Sequence, residues 1–340
     1  MITCLLCDRE LSPREDGFFN HPEVDDCLVE YTDSFGVSVE LVIPPDDEPI
    51  EEPVSGGIEL ILHPFVDAVV SRIFHDHGVE RLGGASTGRG WSSFNLFQKC
   101  PYAWKRRYIE HAEPFIAVES PAIAVGSLVH TYLAVMYMRK INPRYPLTPD
   151  TLHERVRLEC NPEYAAEAWR LFVAYRLFYQ YDQFTPLAVE LNLRDPRNNE
   201  SCRYDLVAYF SDEAPMRLPG TYIIEHKTKQ RFDRAATDGW SNDGEVLGQV
   251  ELWKRLGLDK RYGPLRGVIM NIIGRQKEVQ FTRTIIAPSS WQTGQHREDL
   301  KRWEGAIQLA SATDNFPRAR HSCIDRYGFC EWWDHCTTGS

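Results

Sequence analysis

The sequence lacks several features that would assign it to common classes of protein. No 18 consecutive residues are all apolar, so we expect no membrane span. The first residues contain no basic segment followed by an apolar one, which argues against a secretory signal and favours a cytoplasmic protein. The glycine-rich segment 83–90 lacks the Gly-Lys-Ser/Thr ending of a phosphate-binding loop, so we interpret it as a linker.

A positive net charge is also missing. The 49 acidic residues outnumber the 38 basic ones and give a formal net charge of −11. Such a charge argues against a strong non-specific grip on nucleic acid. Local basic clusters could still follow a phosphate backbone, although solvated helix faces explain each of them about equally well. These clusters lie at 105–107, 229–234, 254–255 and 260–261.

The chain is long and apolar enough for a sizeable core, with 340 residues of which 43% are hydrophobic. We predict a zinc-binding module at 1–33, an accessory segment and linker at 34–87, and a main domain at 88–340. In the main domain, helical periodicity alternates with β-rich runs, which predicts an α/β class with helices flanking a mixed central sheet. The predicted helices are 92–108, 126–140, 162–181, 243–257 and 289–312, and the predicted strands are 187–193, 203–210, 221–227, 267–273 and 278–286.

The most informative segment of the main domain is the predicted strand at 221–227. Side chains on a strand alternate between faces, so Glu225 and Lys227 point the same way. Asp205 belongs to the preceding predicted strand and can approach from beside it. Two carboxylates suit a Mg²⁺ or Mn²⁺ ion that activates water, and the lysine can stabilise charge on a phosphate. Taken alone, an exposed Glu-x-Lys pair on an ordinary strand is the competing interpretation.

The order of short motifs resembles the RecB-like branch of the PD-(D/E)XK nuclease superfamily, over roughly residues 88–340. The resemblance implies a restriction-endonuclease-like core. The matching motifs are Ser92-Ser93-Phe94 with Cys100-Pro101-Tyr102 (its opening helix), Gly126 to His130 (GxxxH), Cys202 to Val207 (G-x-x-D-x-V, with cysteine for glycine), Glu225-His226-Lys227-Thr228 ((D/E)-x-K-T) and Gln249 to Trp253 (Q-x-x-x-Y, with tryptophan for tyrosine).

The resemblance implies that His130, Asp205 and Glu225 bind the metal ion, and that Lys227 stabilises the attacking water. Other candidates follow from position in the sequence. The main-chain carbonyl of His226 could complete the coordination, while its side chain should face away from Glu225. Three further residues have two possible roles each: Glu190 as a metal-site acid or an ordinary strand acid, Gln249 as a group that orients water or phosphate, and Trp253 as a base-stacking or a packed residue.

Cysteines form two further constellations among the nine in the chain, and in a reducing compartment clustered cysteines more often bind metal than pair. The resemblance implies a [4Fe–4S] cluster on Cys100, Cys323, Cys330 and Cys336. Their late spacing, C-x6-C-x5-C, departs from the family's C-x2-C-x5-C at the first gap. His321 and His335 are therefore alternative ligands, and zinc is the competing metal.

The second constellation lies near the first residue. Cys4 and Cys7 form a C-x2-C pair, a spacing that commonly chelates zinc in a tight turn. His21 and Cys27 follow and could supply the remaining two ligands. The expected result is a zinc site that stabilises a segment too short for its own core.

These observations predict a Mg²⁺- or Mn²⁺-dependent DNA nuclease. The resemblance implies exonuclease action on DNA ends or single strands. One alternative is a catalytically silent scaffold that binds nucleic acid, although the joint presence of Asp205, Glu225 and Lys227 argues against it. Another is a CRISPR-adaptation-type DNA-processing nuclease that works within a complex.

Overall fold

The computed structural model describes residues 66–79, 90–112, 120–195, 200–211, 218–230, 239–325 and 328–338, and the backbone of 2–3, 10–13 and 19–20. For 324–325, 328–329 and 334, it describes the backbone alone. The helices are α1 Val66–Asp76, α2 Trp91–Lys99, α3 Pro101–Tyr108, α4 Pro121–Ile141, α5 Pro149–Glu159, α6 Pro162–Phe178, α7 Gly244–Leu256, α8 Asp259–Tyr262, α9 Ser290–Thr313 and α10 Trp333–Thr338. The strands are β1 Ile2–Thr3, β2 Glu10–Pro13, β3 Phe19–Asn20, β4 Phe184–Asp195, β5 Glu200–Phe210, β6 Gly220–Lys229, β7 Leu265–Gly274, β8 Phe281–Ile286, β9 Ile324–Asp325 and β10 Gly328–Phe329.

The central sheet has five strands in the order β4-β5-β6-β7-β8. Strands β4, β5 and β6 are antiparallel neighbours, β6 runs parallel to β7, and β8 is antiparallel to β7. The parallel pair is possible because α7 forms a crossover between β6 and β7. This mixed sheet with flanking helices confirms the predicted α/β class.

Helices cover both faces of this sheet. On one face, α1, α4, α5 and α6 enclose the largest apolar cluster, into which β6 sends Tyr222 and Ile224. On the other face, α7 packs Val250 and Trp253 against β6 and β7, and β6 contributes Ile223. The period-two alternation of the strand thus continues to its polar end, where consecutive residues also face opposite sides.

The single helix predicted at 92–108 is two helices in the structure. Cys100 separates α2 from α3 with an extended backbone, at φ −160° and ψ 104°. Pro101 occupies the first turn of α3, where a missing amide hydrogen costs nothing. A buried hydrogen bond from Trp104 Nε1 to Ser93 Oγ, 2.9 Å long, joins the two helices. The break leaves Cys100 at a corner that faces the C-terminal segment.

Helix α1 belongs to the same core as the main domain, although the predicted boundary falls after it. Its residues Val66, Val69, Ile73 and Phe74 are buried in the largest apolar cluster. On its outer side, Asp67 Oδ1 accepts a 3.0 Å hydrogen bond from Ser127 of α4. The division of the chain into three segments stays a prediction, and this packing groups α1 with the main domain.

Helix α4 passes through the middle of the molecule. By length and composition alone it would suit a membrane span, a test that core helices also pass, and half of its apolar window is buried among its neighbours. Gly126 in its second turn allows a close approach to the sheet, since a Cβ there would lie 3.0 Å from Thr228 Oγ1. The close contact brings the next turn of α4, with His130, to the end of β6.

Candidate metal-dependent active site

The polar end of β6 lies beside Asp205 of β5. Glu225 and Asp205 are almost fully buried, with 3% and 6% of their surfaces exposed. Asp205 Oδ2 accepts a 2.8 Å hydrogen bond from the main-chain amide of His226, which fixes the carboxylate against β6. Two carboxylates are therefore held next to each other on neighbouring strands, just beyond the Leu206–Ile224 pair that ends the β5–β6 register.

His130 completes one side of this acidic site. Its Nδ1 atom lies 3.4 Å from Asp205 Oδ2, beyond the usual length of a hydrogen bond. His130, Glu190 and Asp205 each offer a ligand atom within 4.8 Å of the others. Glu190 also pairs with Arg203 at 2.9 Å, and its backbone is in the left-handed region at φ 47°. Such a conformation in a non-glycine residue is uncommon and concentrates at functional sites.

Lys227 contacts two carboxylates. Its Nζ lies 2.8 Å from Glu225 Oε1 and 3.0 Å from Glu245 Oε2. Glu245 stands in the first turn of α7, whose N-cap Asp243 accepts from the Glu245 amide. We did not predict Glu245 from the sequence, because its contact with Lys227 depends on how α7 docks on the sheet.

Gln249 is a positioning residue for Glu225. Its Nε2 donates a 2.8 Å hydrogen bond to Glu225 Oε2, and the residue is fully buried. Its Oε1 atom is buried and has no hydrogen-bond partner among the described residues. One turn further along α7, Trp253 is also fully buried and donates from Nε1 to Asp259 at 2.7 Å. Trp253 is therefore the packed tryptophan of the two possibilities.

The His226 side chain occupies the opposite face of β6, as expected from strand alternation. Its ring lies among Tyr137, Tyr175 and the edge of His130. His226 Nδ1 is 2.7 Å from Asn271 Nδ2, an amide nitrogen that can only donate. His226 Nδ1 is therefore the acceptor, and this contact favours the neutral imidazole.

Burial and charge shift the pKa values of this group in different directions. Burial, together with the charge of Asp205, raises the pKa of Glu225 to about 8. Burial opposes ionisation of Asp205 as well, but the nearby His130 and Lys227 outweigh it and lower its pKa. Burial also opposes the charged form of Lys227, yet Glu225 and Glu245 raise its pKa. Burial lowers the pKa of His226 to about 3.

A cleft of about 590 Å³ opens onto these groups. It is lined by His130, Asp205, Glu225 and Lys227, and by residues from α2, α7 and α9. Helix α7 lies close to α2 here, since a Cβ at Gly244 would lie 2.3 Å from the Trp91 ring. The cleft is large enough to admit part of a polymeric substrate to the carboxylates.

The site fits a hard divalent cation by its donor chemistry. Carboxylate oxygens suit both Mg²⁺ and Mn²⁺. Mn²⁺, the transition metal, also accepts an imidazole nitrogen as a ligand. Asp205, Glu225 and Glu245 place three carboxylates around a single ammonium group, that of Lys227. Buried carboxylates in such excess are stabilised by a cation.

Two of the four basic clusters that could follow a phosphate backbone form ion pairs within the protein. The cluster on α3 forms ion pairs between Lys105 and Asp314, Arg106 and Glu110, and Arg107 and Glu331, at 2.7, 2.7 and 2.6 Å. Arg255 of α7 pairs with Asp195 and Glu251, both at 3.2 Å. These contacts favour the structural interpretation of both clusters.

The four cysteines of the second constellation converge from distant parts of the chain. Cys100, Cys323, Cys330 and Cys336 line one small cavity, and all four thiols are free. The cavity also contacts Trp332, which is 1% exposed and lies under the guanidinium of Arg106 at 5.5 Å. Cys323 rather than His321 lines this cavity, despite the unusual spacing in the sequence.

Two measurements of this cavity bear on which metal it would hold. Its volume is about 10 Å³, close to that of one water position, so a cluster requires the side chains to spread. Among the described residues, only His130, Glu190 and Asp205 form a group of three with ligand atoms within 4.8 Å of one another. The sulfurs are thus more widely spaced than thiolates around one zinc ion, which are about 3.8 Å apart for 2.3 Å tetrahedral bonds.

The predicted zinc ligands Cys4, Cys7, His21 and Cys27 lie outside the described residues. Nearby, the short strands β1, β2 and β3 form a three-stranded antiparallel sheet. Thr3 pairs with Glu10, so these strands bracket the segment that carries Cys4 and Cys7 in the sequence. The N-terminal zinc site stays a prediction.

The mixed sheet and its acidic end define an α/β protein with a candidate metal-binding site. The chain belongs to the PD-(D/E)XK nuclease superfamily, whose family model matches residues 91–337. A solved structure of a candidate exonuclease from Eubacterium rectale is similar at 11% identity and a TM-score of 0.41, and the match covers 74% of this chain and 87% of that one. The structure of SSO0001 is similar at 12% identity and a TM-score of 0.25, with 59% and 84% covered. No curated protein sequence matches the chain.

Proposed function

We propose that this protein is a Mg²⁺- or Mn²⁺-dependent deoxyribonuclease that acts on single strands or DNA ends. The convergence of His130, Asp205, Glu225 and Lys227 in one cleft carries the proposal. Membership of the nuclease superfamily supports phosphodiester hydrolysis, and the donor set supports a divalent cation. The exonuclease mode and the choice of DNA rest on the resemblance of the motifs to the RecB-like branch.

In the proposed mechanism, His130, Asp205 and Glu225 would hold the cation. Glu190 is a further candidate ligand, because its carboxylate lies within 4.8 Å of ligand atoms of His130 and Asp205, and the His226 carbonyl is another. When bound, the ion supplies a Lewis acid for the phosphate and lowers the pKa of a water molecule. Lys227 stabilises negative charge on the phosphate through its ammonium group. Gln249 holds the Glu225 carboxylate, and Glu245 holds the ammonium of Lys227 in the cleft.

The test uses the full-length protein, purified anaerobically, with end-labelled single- and double-stranded DNA. We expect cleavage with Mn²⁺ or Mg²⁺ and none after chelation. Release of labelled mononucleotides from one end would support the exonuclease mode, and internal cuts would contradict it. Tight binding without cleavage under every metal condition would favour the silent scaffold.

We also propose that Cys100, Cys323, Cys330 and Cys336 bind a [4Fe–4S] cluster. The convergence of the four free thiols on one cavity supports this. The cluster would fasten the C-terminal segment to the corner between α2 and α3. Because it would close a very long loop, it would stabilise the fold mainly by restricting the unfolded chain.

Colour and elemental analysis test this second proposal. Anaerobic protein should be brown, with broad absorbance near about 400 nm for iron–sulfur ligation. The Cys330→Ala variant should lose the colour and unfold at lower temperature. Cys160→Ala is the matched control, since Cys160 is a buried cysteine of the main core that does not line this cavity, and its loss should leave the colour unchanged. Colourless protein that contains zinc and no iron would contradict the cluster.

For the N-terminal segment, we propose about one zinc ion per chain bound by Cys4 and Cys7, with His21 and Cys27 as the other ligands. The C-x2-C spacing supports this proposal. Deletion of residues 1–30 should remove the zinc and leave some nuclease activity, because the catalytic candidates all lie beyond residue 88. Zinc that survives the deletion would refute this location.

A further inference from the structure

A second groove of about 290 Å³ lies next to the catalytic cleft. The two share the residues Trp91, Gly244, His296 and Leu300, so they are continuous. Helix α2 forms one side of the groove and helix α9 forms the other. Anything that extends from the carboxylates past Trp91 enters this groove.

Tryptophan side chains are the main feature of the groove, which we call the tryptophan groove. It is lined by Trp91 of α2 and by Trp291 and Trp303 of α9. Trp291 is 71% exposed, an unusual state for the largest apolar side chain. Trp303 is about twelve positions after Trp291 on α9, so the two residues are about 18 Å apart along the helix axis.

The rest of the lining is polar but carries little charge. Planar amides line it at Gln98 and Gln295, both of which are exposed. The one acidic side chain among the described lining residues, Asp299, is 3.3 Å from the guanidinium of Arg302. No lysine or arginine lines the groove within the described part of the chain. Phosphate contacts therefore cannot be its main source of affinity.

The walls of the tryptophan groove are held in place by short contacts. His296 packs on Trp91 with ring centroids 5.5 Å apart, and a Cβ at Gly248 would lie 3.3 Å from His296 Nε2. At the far end, Gln292 Nε2 donates to Asn242 Oδ1 at 2.9 Å. The Trp91 side of the groove is therefore preformed and loses little freedom when it binds a ligand.

We propose that the tryptophan groove binds the unpaired bases of single-stranded DNA next to the phosphate that is cut. This inference rests on the proposed nuclease function and defines its substrate. Bases stack on aromatic side chains without regard to sequence, and only unpaired strands expose their faces.

Binding of labelled dT12 to the full-length protein tests the proposal independently of catalysis. Fluorescence anisotropy is measured without added divalent metal, and a gel confirms that the probe stays intact. Trp291→Ala should weaken binding about 5- to 150-fold, the range measured for loss of one stacked base. Trp291→Phe should recover most of the affinity, because it keeps an aromatic face.

The matched control is Leu309→Ala, which removes another exposed apolar side chain of α9, 66% exposed and outside the groove. The dissociation constant for dT12 should stay within about twofold of the wild-type value, because surface substitutions away from a contact have only small effects. The salt dependence of dT12 binding should be the same in Trp291→Ala and wild type, because no cation has been removed.

Each contrary outcome has a separate meaning. If Trp291→Ala and Leu309→Ala bind dT12 with equal affinity, the proposed role of the groove is wrong. The same conclusion follows if wild type binds a blunt hairpin duplex as tightly as it binds dT12. Much tighter binding of rU12 would overturn the assignment to DNA. If Trp291→Ala loses dT12 binding while wild type with Mn²⁺ cleaves nothing, the groove stands and the nuclease proposal fails. If wild type cleaves DNA and Trp291→Ala binds dT12 as tightly as wild type, the nuclease proposal stands and the groove proposal fails.

Discussion

The two faces of strand β6 carry polar residues of opposite character. On the α7 side, Glu225 and Lys227 share a cleft with more carboxylates than cations. On the α4 side, His226 belongs to a closed network in which Asn271 accepts from Arg283, and Arg283 pairs with Asp182. The two faces therefore differ in their balance of charge. Carboxylates outnumber cations in the cleft, whereas Arg283 and Asp182 compensate each other on the opposite face, where His226 Nε2 has no hydrogen-bond partner among the described residues.

This difference shows why burial alone does not identify a functional residue. Glu225 and His226 are equally buried, at 3% exposure each. Both residues make hydrogen bonds inside the protein. The balance of charge distinguishes them, because an excess of buried carboxylates favours binding of a cation and a neutral imidazole beside a compensated ion pair does not. The following predictions test that distinction, starting with the largest expected effect.

Loss of the closed network should affect stability most. Arg283→Met would leave the Asp182 carboxylate buried without its 2.6 Å partner. Removing one member of a buried ion pair costs about 3–5 kcal/mol of unfolding free energy. Urea denaturation measures the change, and Arg302→Met, which breaks the exposed pair with Asp299, should cost less than about 1 kcal/mol. Similar small losses in both variants would contradict a structural role for this face.

Loss of the lysine on the opposite face should affect activity instead. Lys227→Ala should slow cleavage of single-stranded DNA about 10²- to 10³-fold, because a charge-stabilising donor is lost at the phosphate. The loss of stability should be smaller than that of Arg283→Met, because Glu225 has a raised pKa and can take up a proton once its partner is removed. The control is Lys229→Ala, two residues further along β6. Its cleavage rate should stay within about tenfold of wild type, a smaller decrease than the loss of a catalytic donor causes. Undiminished cleavage by folded Lys227→Ala would remove this residue from the mechanism.

Glu225 and His226 should also give stability opposite dependences on pH. The pKa of Glu225 is raised from 4.5 to about 8, so the folded protein binds more protons across this interval and loses stability as pH rises. The pKa of His226 is lowered from 6.5 to about 3, so the unfolded chain binds more protons in that window. The contribution of His226 is complete above pH 6.5 and is lost as pH falls.

Urea denaturation without added metal between about pH 4 and 9 measures both slopes, each at most about 1.4 kcal/mol per pH unit for one proton. Glu225→Gln should flatten the alkaline slope, and His226→Gln should flatten the acidic one. If each substitution changed the other slope, the assignment of these two groups would be reversed.

The parts of this architecture that sequence predicted are those set by local rules. Alternation along β6 placed Glu225 and Lys227 together and His226 opposite, because the period of a strand is fixed by its backbone. The break at Cys100 was missed although Pro101 signals a new helix start. Helix α5 was also missed, despite the Thr148 capping box that begins it.

The features that sequence did not predict depend on tertiary packing. Glu245 meets Lys227 only because α7 docks on the sheet, which no local pattern encodes. The left-handed backbone of Glu190 and its pair with Arg203 are equally non-local. The tryptophan groove joins α2 to α9, two helices about 200 residues apart in the chain. Such surfaces follow from the assembled fold and not from any one segment.

The most direct test of the central claim is single-turnover cleavage of end-labelled single-stranded DNA by Glu225→Gln as Mn²⁺ is increased. Glutamine keeps the size of the side chain and removes its charge, so the folded variant should bind dT12 normally and cleave at least about 10³-fold more slowly than wild type. Glu167→Gln, which changes a partly exposed acid on α6, should cleave at the wild-type rate. A folded Glu225→Gln that cleaves as fast as wild type would contradict the metal-dependent site proposed for this cleft.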